Sequence, residues 1–312
     1  MIVSLRQLVL VCALAALCGS CSGAGPNGGT TGGDDEDGMT EPPAPKSMGG
    51  LAASTDDVSD SAIPDDPGPG CRIDATLPDG VSAGAGADAL HGLGQERILD
   101  RDGAAAVAIL LEAVKLAPKN GAVHGDLATA LLQCKFYSQA VPMAERAVEL
   151  EPNNVDLLAN LAQTYQIVGR PSDAVATYRT ATEIDPDDAA VQNNLAVALL
   201  VVRDLDAAEE AARAAIRIDP ENTNYRVNLG YVLYRQKRLP DAEMVLKAAI
   251  DRDSRSADAH NQLGLVLAAQ KRNAQARNEF LKALEIDPTH RAARENLQAI
   301  DDGFDFTGPW GN

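Results

Sequence analysis

The chain has 312 residues, of which 27 are basic and 45 acidic, so its formal net charge is −18. This acidity argues against nucleic acid as a partner, because neutralising phosphates requires clustered Lys and Arg side chains. Aromatic residues make up only 4% of the chain. That scarcity favours closely packed helices over a β-sheet.

Residues 1–21 have the form of a secretory signal peptide. Arg6 is followed by an apolar run from Leu8 to Leu17 and then by small residues. The run is too short to span a bilayer as a helix, which takes about 20 residues. The sequence therefore predicts export rather than a membrane-spanning helix.

The sequence LCGSC at residues 17–21 resembles a bacterial lipoprotein lipobox, although Cys18 stands where that pattern usually has Leu. The resemblance implies cleavage before Cys21, lipidation of Cys21 and, with Ser22 after it, a place on the periplasmic face of the outer membrane. Ordinary cleavage within residues 22–24 is the alternative. It would give a soluble periplasmic or secreted protein.

Residues 22–86 are dominated by Gly, Pro, Asp and Ser. Such a segment buries too little apolar surface to offset the entropy of ordering it, so we expect a disordered tether. As a flexible coil it would span roughly 45 Å. The tether would let the rest of the chain stand away from a membrane surface.

From residue 87 the sequence repeats every 34 residues without an insertion. Column n denotes the nth residue of each row. Column 7 is Leu, column 8 is Gly or Ala, and columns 20 and 27 are Ala in all six rows, while column 32 is Pro in five. The rows are residues 87–120, 121–154, 155–188, 189–222, 223–256 and 257–290.

These columns predict a helix–turn–helix unit in each row. Columns 20 and 27 fall on one face of a helix, and small residues there and at column 8 allow two helices to approach closely. Proline at column 32 ends the second helix. Because one unit cannot bury its own apolar face, stacked units should form a solenoid.

The same columns resemble those of tetratricopeptide repeats over residues 87–290. The resemblance implies an all-α, right-handed superhelical solenoid of six repeats. Residues 291–301 continue the pattern with Leu297 in column 7 and are predicted to form a capping helix, and residues 302–312 form an aromatic tail. Column 4, often Trp in that family, is Leu, His, Gln or Arg here. Row five also departs from the pattern, because Ser254 replaces the column 32 proline.

In that family the first helix of each repeat lines a concave groove. Column 6 would offer amides to the backbone of an extended peptide. The alternative is that Asn is common at this column throughout the family and does not indicate a peptide site. Columns 9, 12 and 13 of repeats 4–6 would form an apolar strip for a partner, although some column 12 residues could be packing residues. The candidate groove residues are Asn160, Asn194, Asn228, Gln262, Val197, Leu200, Val201, Tyr231, Tyr234 and Leu265.

The sequence contains no recognisable catalytic, cofactor-binding or metal-binding motif, and its four His residues are spread over rows one, two and six. We therefore predict that the protein is not an enzyme and has no cofactor. After cleavage at Cys21 the remaining thiols would be Cys71 and Cys134. In an oxidising compartment these two could form a disulfide, or they could stay free.

The sequence thus predicts an exported, lipid-anchored scaffold that binds a protein or peptide segment and assists assembly of an envelope complex. Two alternatives remain. The repeats behind a lipobox resemble pilotin lipoproteins, which would imply a factor for an outer-membrane secretin. A structural array that self-associates through an uncapped end would need no peptide at all. The sequence identifies neither the partner nor the oligomeric state.

Overall fold

The computed structural model describes residues 77–78, 81–82, 84–304 and 306. The predicted signal peptide, Cys21, Cys71 and Trp310 lie outside the described residues. Within the described part the chain forms thirteen α-helices and no strands. They are α1 (Ala87–Leu99), α2 (Gly103–Leu116), α3 (Gly121–Gln133), α4 (Tyr137–Leu150), α5 (Val155–Ile167), α6 (Pro171–Ile184), α7 (Ala189–Val201), α8 (Leu205–Ile218), α9 (Thr223–Arg235), α10 (Leu239–Arg252), α11 (Ala257–Ala269), α12 (Asn273–Ile286) and α13 (Arg291–Asp301).

Each predicted row contains one helical hairpin, and α13 packs on the last one. The predicted all-α repeat solenoid is thereby confirmed. The first helices of neighbouring repeats pack directly on each other at most steps, whereas second helices pack mainly on first helices. Because the first helices pack more closely on one another than the second helices do, they lie on the inner side of the array. The first helices are α1, α3, α5, α7, α9 and α11. Among the described helices, none has the length and apolar character needed to cross a membrane.

The residue at column 34 starts each first helix after α1. Its side chain accepts a hydrogen bond from a backbone N–H two or three residues further on, which satisfies a donor that the helix leaves unpaired. Five of these six caps are Asn, Asp or Ser, and the sixth is His290. The column 34 polar residues therefore fix where the repeats begin.

The turn between the two helices of a repeat has a left-handed residue at column 15. In repeat 3 this is Gly169, with φ of 82°. The other five repeats place a basic residue there, with φ between 58° and 64°: Arg101, Lys135, Arg203, Lys237 and Lys271. The backbone N–H that follows donates to a carbonyl five residues earlier, as in the 2.9 Å bond from Asp102 to Arg97. This bond offsets the strain of a side chain in the left-handed region.

Polar residues at column 4 bind the turn that precedes them. Arg226 donates to the Pro220 carbonyl at 2.5 Å, and Arg294 donates to the Pro288 carbonyl at 2.6 Å. His260 Nε2 lies 3.3 Å from the carbonyl of Ser254, the residue that replaces proline in row five. The departures from the family pattern at column 4 thus satisfy carbonyl groups at the ends of second helices.

Column 8 glycines allow the two helices of a repeat to pack closely. A Cβ atom on Gly94 would be 2.5 Å from Leu110, and one on Gly230 would be 2.6 Å from Leu246. The Ala residues at columns 20 and 27 are fully or almost fully buried in all six repeats. Small residues at these columns bring the helices together as predicted.

Candidate partner-binding groove

The candidate groove residues lie on four consecutive first helices, α5, α7, α9 and α11, which face the inner side of the array. Their exposure differs. Val201, Tyr231, Tyr234 and Leu265 are half-buried and accessible from the groove. Val197 and Leu200 are each only 5% exposed, and Leu200 belongs to the main core. Leu200 therefore fits the packing alternative for column 12, and the accessible apolar strip is narrower than the sequence indicated.

Tyr231, Tyr234 and Arg235 form a cluster on the groove side of α9. The two tyrosine rings are stacked, with centroids 6.0 Å apart and an angle of 23° between their planes. The Arg235 guanidinium carbon lies 5.8 Å from the centre of the Tyr231 ring, and its Nη1 donates to Tyr231 Oη at 3.4 Å. Burial raises the pKa of Tyr234, so this phenol is neutral near pH 7. The cluster offers aromatic faces, hydroxyl groups and one cation to a ligand.

The column 6 amides do not form a uniform ladder. Asn228 is 3% exposed, and its Nδ2 donates to Asn193 Oδ1 at 2.7 Å across the junction of repeats 4 and 5. Its amide therefore holds two repeats together. Asn160, Asn194 and Gln262 are half-buried. These three remain the candidates for hydrogen bonds to a bound backbone.

The bond made by Asn228 belongs to a pattern that links column 5 of one repeat to column 6 of the next. Asn296 Nδ2 donates to Asn261 Oδ1 at 2.9 Å and joins α13 to repeat 6. His91 Nε2 lies 2.7 Å from Asp126 Oδ2 and joins repeats 1 and 2. These contacts were not predicted from the sequence. Comparing column 5 of each row with column 6 of the next row would have shown the polar pairs.

Two exposed apolar residues extend the groove surface towards the N-terminal repeats. Leu99 on α1 is 83% exposed and Ile167 on α5 is 39% exposed. Both occupy column 13, as does Val201. The sequence analysis did not select Leu99 or Ile167, and reading column 13 down all six rows would have found them. The accessible apolar residues thus reach beyond repeats 4–6.

Charged contacts join the repeats away from the groove. Glu243 on α10 accepts from Arg272 Nη1 at 2.7 Å and from Gln270 Nε2 at 3.0 Å in the next repeat, and it pairs with Lys247 at 2.8 Å. Burial alone would raise the pKa of Glu243, but these donors outweigh it and lower the pKa to about 2. Glu209 and Arg238 repeat the contact one step earlier at 2.7 Å. These carboxylates are therefore structural groups.

Among the described residues, the remaining titratable side chains do not converge on a reaction centre. His260 Nδ1 lies 2.6 Å from Glu279 in the same repeat, and His290 Nε2, at the start of α13, lies 3.1 Å from Asp258 on α11. The hydrogen bond to Asp258 raises the pKa of His290. Within the described part of the chain, no group of three or more His, Cys, Asp or Glu residues is arranged to hold a metal ion.

Comparison with known sequences identifies the family. Two sequence models described as tetratricopeptide repeat match the chain, one over residues 136–200 and the other over residues 193–247 and 227–291. Together they cover residues 136–291, half of the 312 residues. The chain therefore belongs to the tetratricopeptide repeat family, whose members are generally non-enzymatic scaffolds for protein interactions. No curated protein matches the chain in sequence.

Solved structures of similar fold include PilW and PilF. PilW, described as a widely conserved type IV pilus biogenesis factor, is 18% identical with a TM-score of 0.60, and the match covers 68% of this chain and 98% of PilW. PilF from Pseudomonas aeruginosa is 17% identical with a TM-score of 0.56, over 68% of this chain and 96% of PilF.

A third similar structure comes from a different assembly. It is a chain of the APC/C hetero-tetramer Cut9–Hcn1, which is 17% identical with a TM-score of 0.58. That match covers 69% of this chain but only 43% of the other. At these identities all three likenesses establish the fold and nothing further.

Proposed function

We propose that this protein is a non-enzymatic scaffold that binds an extended segment of a partner protein in the groove of repeats 4–6. The observation that carries the proposal is the Tyr231, Tyr234 and Arg235 cluster on the inner side of the array. Tyrosine and arginine are the side chains most often found at the centre of protein interfaces, because they combine large contact areas with hydrogen bonding.

The residues around this cluster suit an extended peptide. Val201 and Leu265 are half-buried apolar neighbours on the helices before and after α9. Asn194 and Gln262, on the same two helices, can each donate to and accept from a peptide backbone. The groove therefore favours a partner segment with apolar side chains beside backbone groups that remain available for hydrogen bonds.

The proposal includes export and lipid anchoring at Cys21. Its support is the apolar run and the lipobox-like residues 17–21, followed by an acidic segment of tether composition. On this basis the protein would act at the periplasmic face of an outer membrane and help to assemble an envelope complex. Substituting Cys21 with Ser should abolish incorporation of labelled fatty acid and release the protein from membranes; unchanged labelling would exclude Cys21 as the acylated residue.

Two narrower functions follow from specific observations. The similarity in fold to PilW and PilF supports a pilotin-like role in pilus assembly as one candidate. The other candidate is self-association of the array without peptide capture. Light scattering on the full chain tests self-association, since a mass equal to one chain at all concentrations would rule it out.

The decisive test is capture of partners from an envelope extract by the full chain and by groove variants. Tyr231→Ala and Tyr234→Ala should lose the captured protein while retaining the helical circular dichroism spectrum. Met244→Ala is the matched control, because Met244 is 65% exposed on the second helix of the same repeat. Equal capture by the groove variants and the control would refute the assignment of this surface.

A further inference from the structure

Cys134 is disulfide-bonded, and its position limits which cysteine can be the partner. It follows the last residue of α3, is 1% exposed and belongs to the apolar cluster shared by repeats 1 and 2. The chain has four other cysteines, Cys12, Cys18, Cys21 and Cys71, all outside the described residues. Cys12 and Cys18 fall in the predicted signal peptide, and Cys21 is the predicted site of lipidation.

The segment that follows Cys71 lies against the same apolar cluster. Leu77, Val81 and Ala85 are partly buried and pack on the cluster that contains Cys134. The six residues from Cys71 to Leu77 can span up to about 20 Å when extended. Cys71 is therefore only six residues away from a side chain that packs on the cluster of Cys134.

Repeat 1 packs closely against the end of α3 that carries Cys134. A Cβ atom on Gly103 would lie 3.0 Å from Gln133 Cβ and 3.1 Å from Cys134 Sγ, closer than most real Cβ contacts. At the same column the other five repeats have Tyr137, Pro171, Leu205, Leu239 and Asn273. A larger residue at position 103 would press against Gln133 and Cys134, so the absence of a side chain there leaves room at the end of α3.

We propose that Cys71 and Cys134 form a disulfide that fixes the end of the tether across the outer face of repeat 1. This face needs cover, because no helix precedes α1 among the residues that the structure describes. The column 7 leucine of repeat 1, Leu93, is only half-buried, whereas the same column in the other five repeats is at most 7% exposed. The bond would hold Leu77, Val81 and Ala85 against the apolar cluster at this end of the array.

The chemistry requires a disulfide oxidant, either a protein disulfide or oxidised glutathione. The Cys71 thiolate attacks the oxidant, releasing one thiol and leaving a mixed disulfide. The Cys134 thiolate then attacks the Cys71 sulfur and releases the second thiol of the oxidant. Because Cys134 is buried in the folded array, the bond is protected from soluble reductants once it has formed.

The bond can be mapped in the full chain after oxidation with a glutathione buffer and tryptic digestion without reductant. Cleavage at Lys46, Arg72, Lys119 and Lys135 yields peptides 47–72 and 120–135, each with one cysteine. We expect these peptides to be linked before reduction and separate after it. A free Cys134, or a link from peptide 120–135 to peptide 7–46, would overturn the proposal.

Hydrogen exchange tests the capping role. In Cys71→Ser, amides of α1 should exchange at least about tenfold faster, while those of α7 should be unchanged. Unaltered exchange in α1 would refute the capping role even if the bond forms. Formation of this bond in the cell rests on the proposed export, whereas its formation in a glutathione buffer does not. If the bond is mapped in vitro but the protein is not exported, the result contradicts the proposed export and leaves the disulfide proposal intact.

Discussion

Phe280 on α12 lies directly over Gly264 on α11, so that a Cβ atom at position 264 would be 2.4 Å from Phe280 Cε1. The same two columns pair Gly94 with Leu110 and Gly230 with Leu246. Where column 8 is Ala128 or Ala196, column 24 shrinks to Ala144 or Ala212, although repeat 3 combines Ala162 with Tyr178. Every glycine at column 8 is therefore matched by a large side chain at column 24 that fills the space between the two helices.

Gly264→Ala should destabilise the array by about 1–3 kcal/mol, because the new methyl group must displace a fully buried aromatic ring. Denaturant unfolding followed by far-UV circular dichroism measures the change. The control is Gly92→Ala on α1, where a Cβ atom meets nothing within 4 Å. This change should be neutral or stabilising by up to about 1 kcal/mol, since alanine favours helix. Equal loss in both variants would show that Phe280 does not constrain position 264.

Much of the fold could be predicted from the sequence because its signals are local and repeated six times. Leucine at column 7, alanine at columns 20 and 27 and proline at column 32 specify two helices and a turn in every row. Column 34 adds the caps. Each signal acts within one repeat or against its immediate neighbour, so no long-range pairing had to be inferred.

The groove could be predicted only in part, because exposure depends on how far neighbouring first helices close over each other. Val197 and Val201 both belong to the predicted strip, yet the first is buried and the second is half-buried. Asn228 and Asn194 share a column, but only Asn228 has Asn193 opposite its amide. These differences arise between repeats and cannot be read from one row.

Asn228→Ala should cost about 1–3 kcal/mol, because it leaves the buried carbonyl oxygen of the Asn193 side chain without its donor. Substituting both residues should cost less than the sum of the single changes, which a double-mutant cycle by denaturant unfolding can measure. Asn194→Ala is the control from the same column and should change stability by under about 1 kcal/mol. If Asn228→Ala and Asn194→Ala lose equal stability, the hydrogen bond between Asn228 and Asn193 does not stabilise the junction of repeats 4 and 5.

Leu229 and Tyr231 lie two residues apart on α9 but should respond differently to truncation. Leu229 is 3% exposed, so Leu229→Ala should lower stability by about 2–5 kcal/mol. Tyr231→Ala removes a half-buried ring from the groove surface and should mainly weaken partner capture. Thermal unfolding and capture measured on both variants give the comparison, and identical melting curves would contradict this assignment of faces.

The low pKa of Glu243 predicts a specific loss of stability in acid. Its ordinary pKa is 4.5 and the folded value is about 2, so the carboxylate stabilises the folded chain fully above about pH 5. That contribution declines as the pH falls from 4.5 towards 2. Without solvent screening, a shift in pKa from 4.5 to about 2 would contribute about 3 kcal/mol to the free energy of unfolding. Because Lys247 and Arg272 are substantially exposed, we expect about 1–2 kcal/mol.

The measurement compares the unfolding free energy of the wild type with that of Glu243→Gln between pH 7 and pH 2. The difference should be largest at neutral pH and should shrink as the pH falls below 4.5. Glu285→Gln, at an exposed position on α12, should show little difference at any pH. A constant gap between the wild type and Glu243→Gln would indicate that packing, rather than charge, accounts for the role of Glu243.

The C-terminal end of the array is closed by the residues that follow α13. Gly303, with φ of 75°, reverses the chain, and the Phe304 N–H donates to the Ala299 carbonyl at 2.9 Å. The turn places Phe306 in the main core with 8% exposure, where its ring meets that of Phe304 edge-on with centroids 5.2 Å apart. The start of the tail therefore packs against the array.

Phe306→Ala should destabilise repeat 6 and α13 by roughly 2–4 kcal/mol, because the core loses a buried ring at an end that can partly relax. Hydrogen exchange of α13 measures this loss, with Leu281→Ala as a control because Leu281 is 40% exposed in the same repeat. The variant should also gain apparent mass by light scattering as concentration rises, since apolar surface at the array end becomes available to another copy. Unchanged exchange in α13 would mean that Phe306 does not close this end.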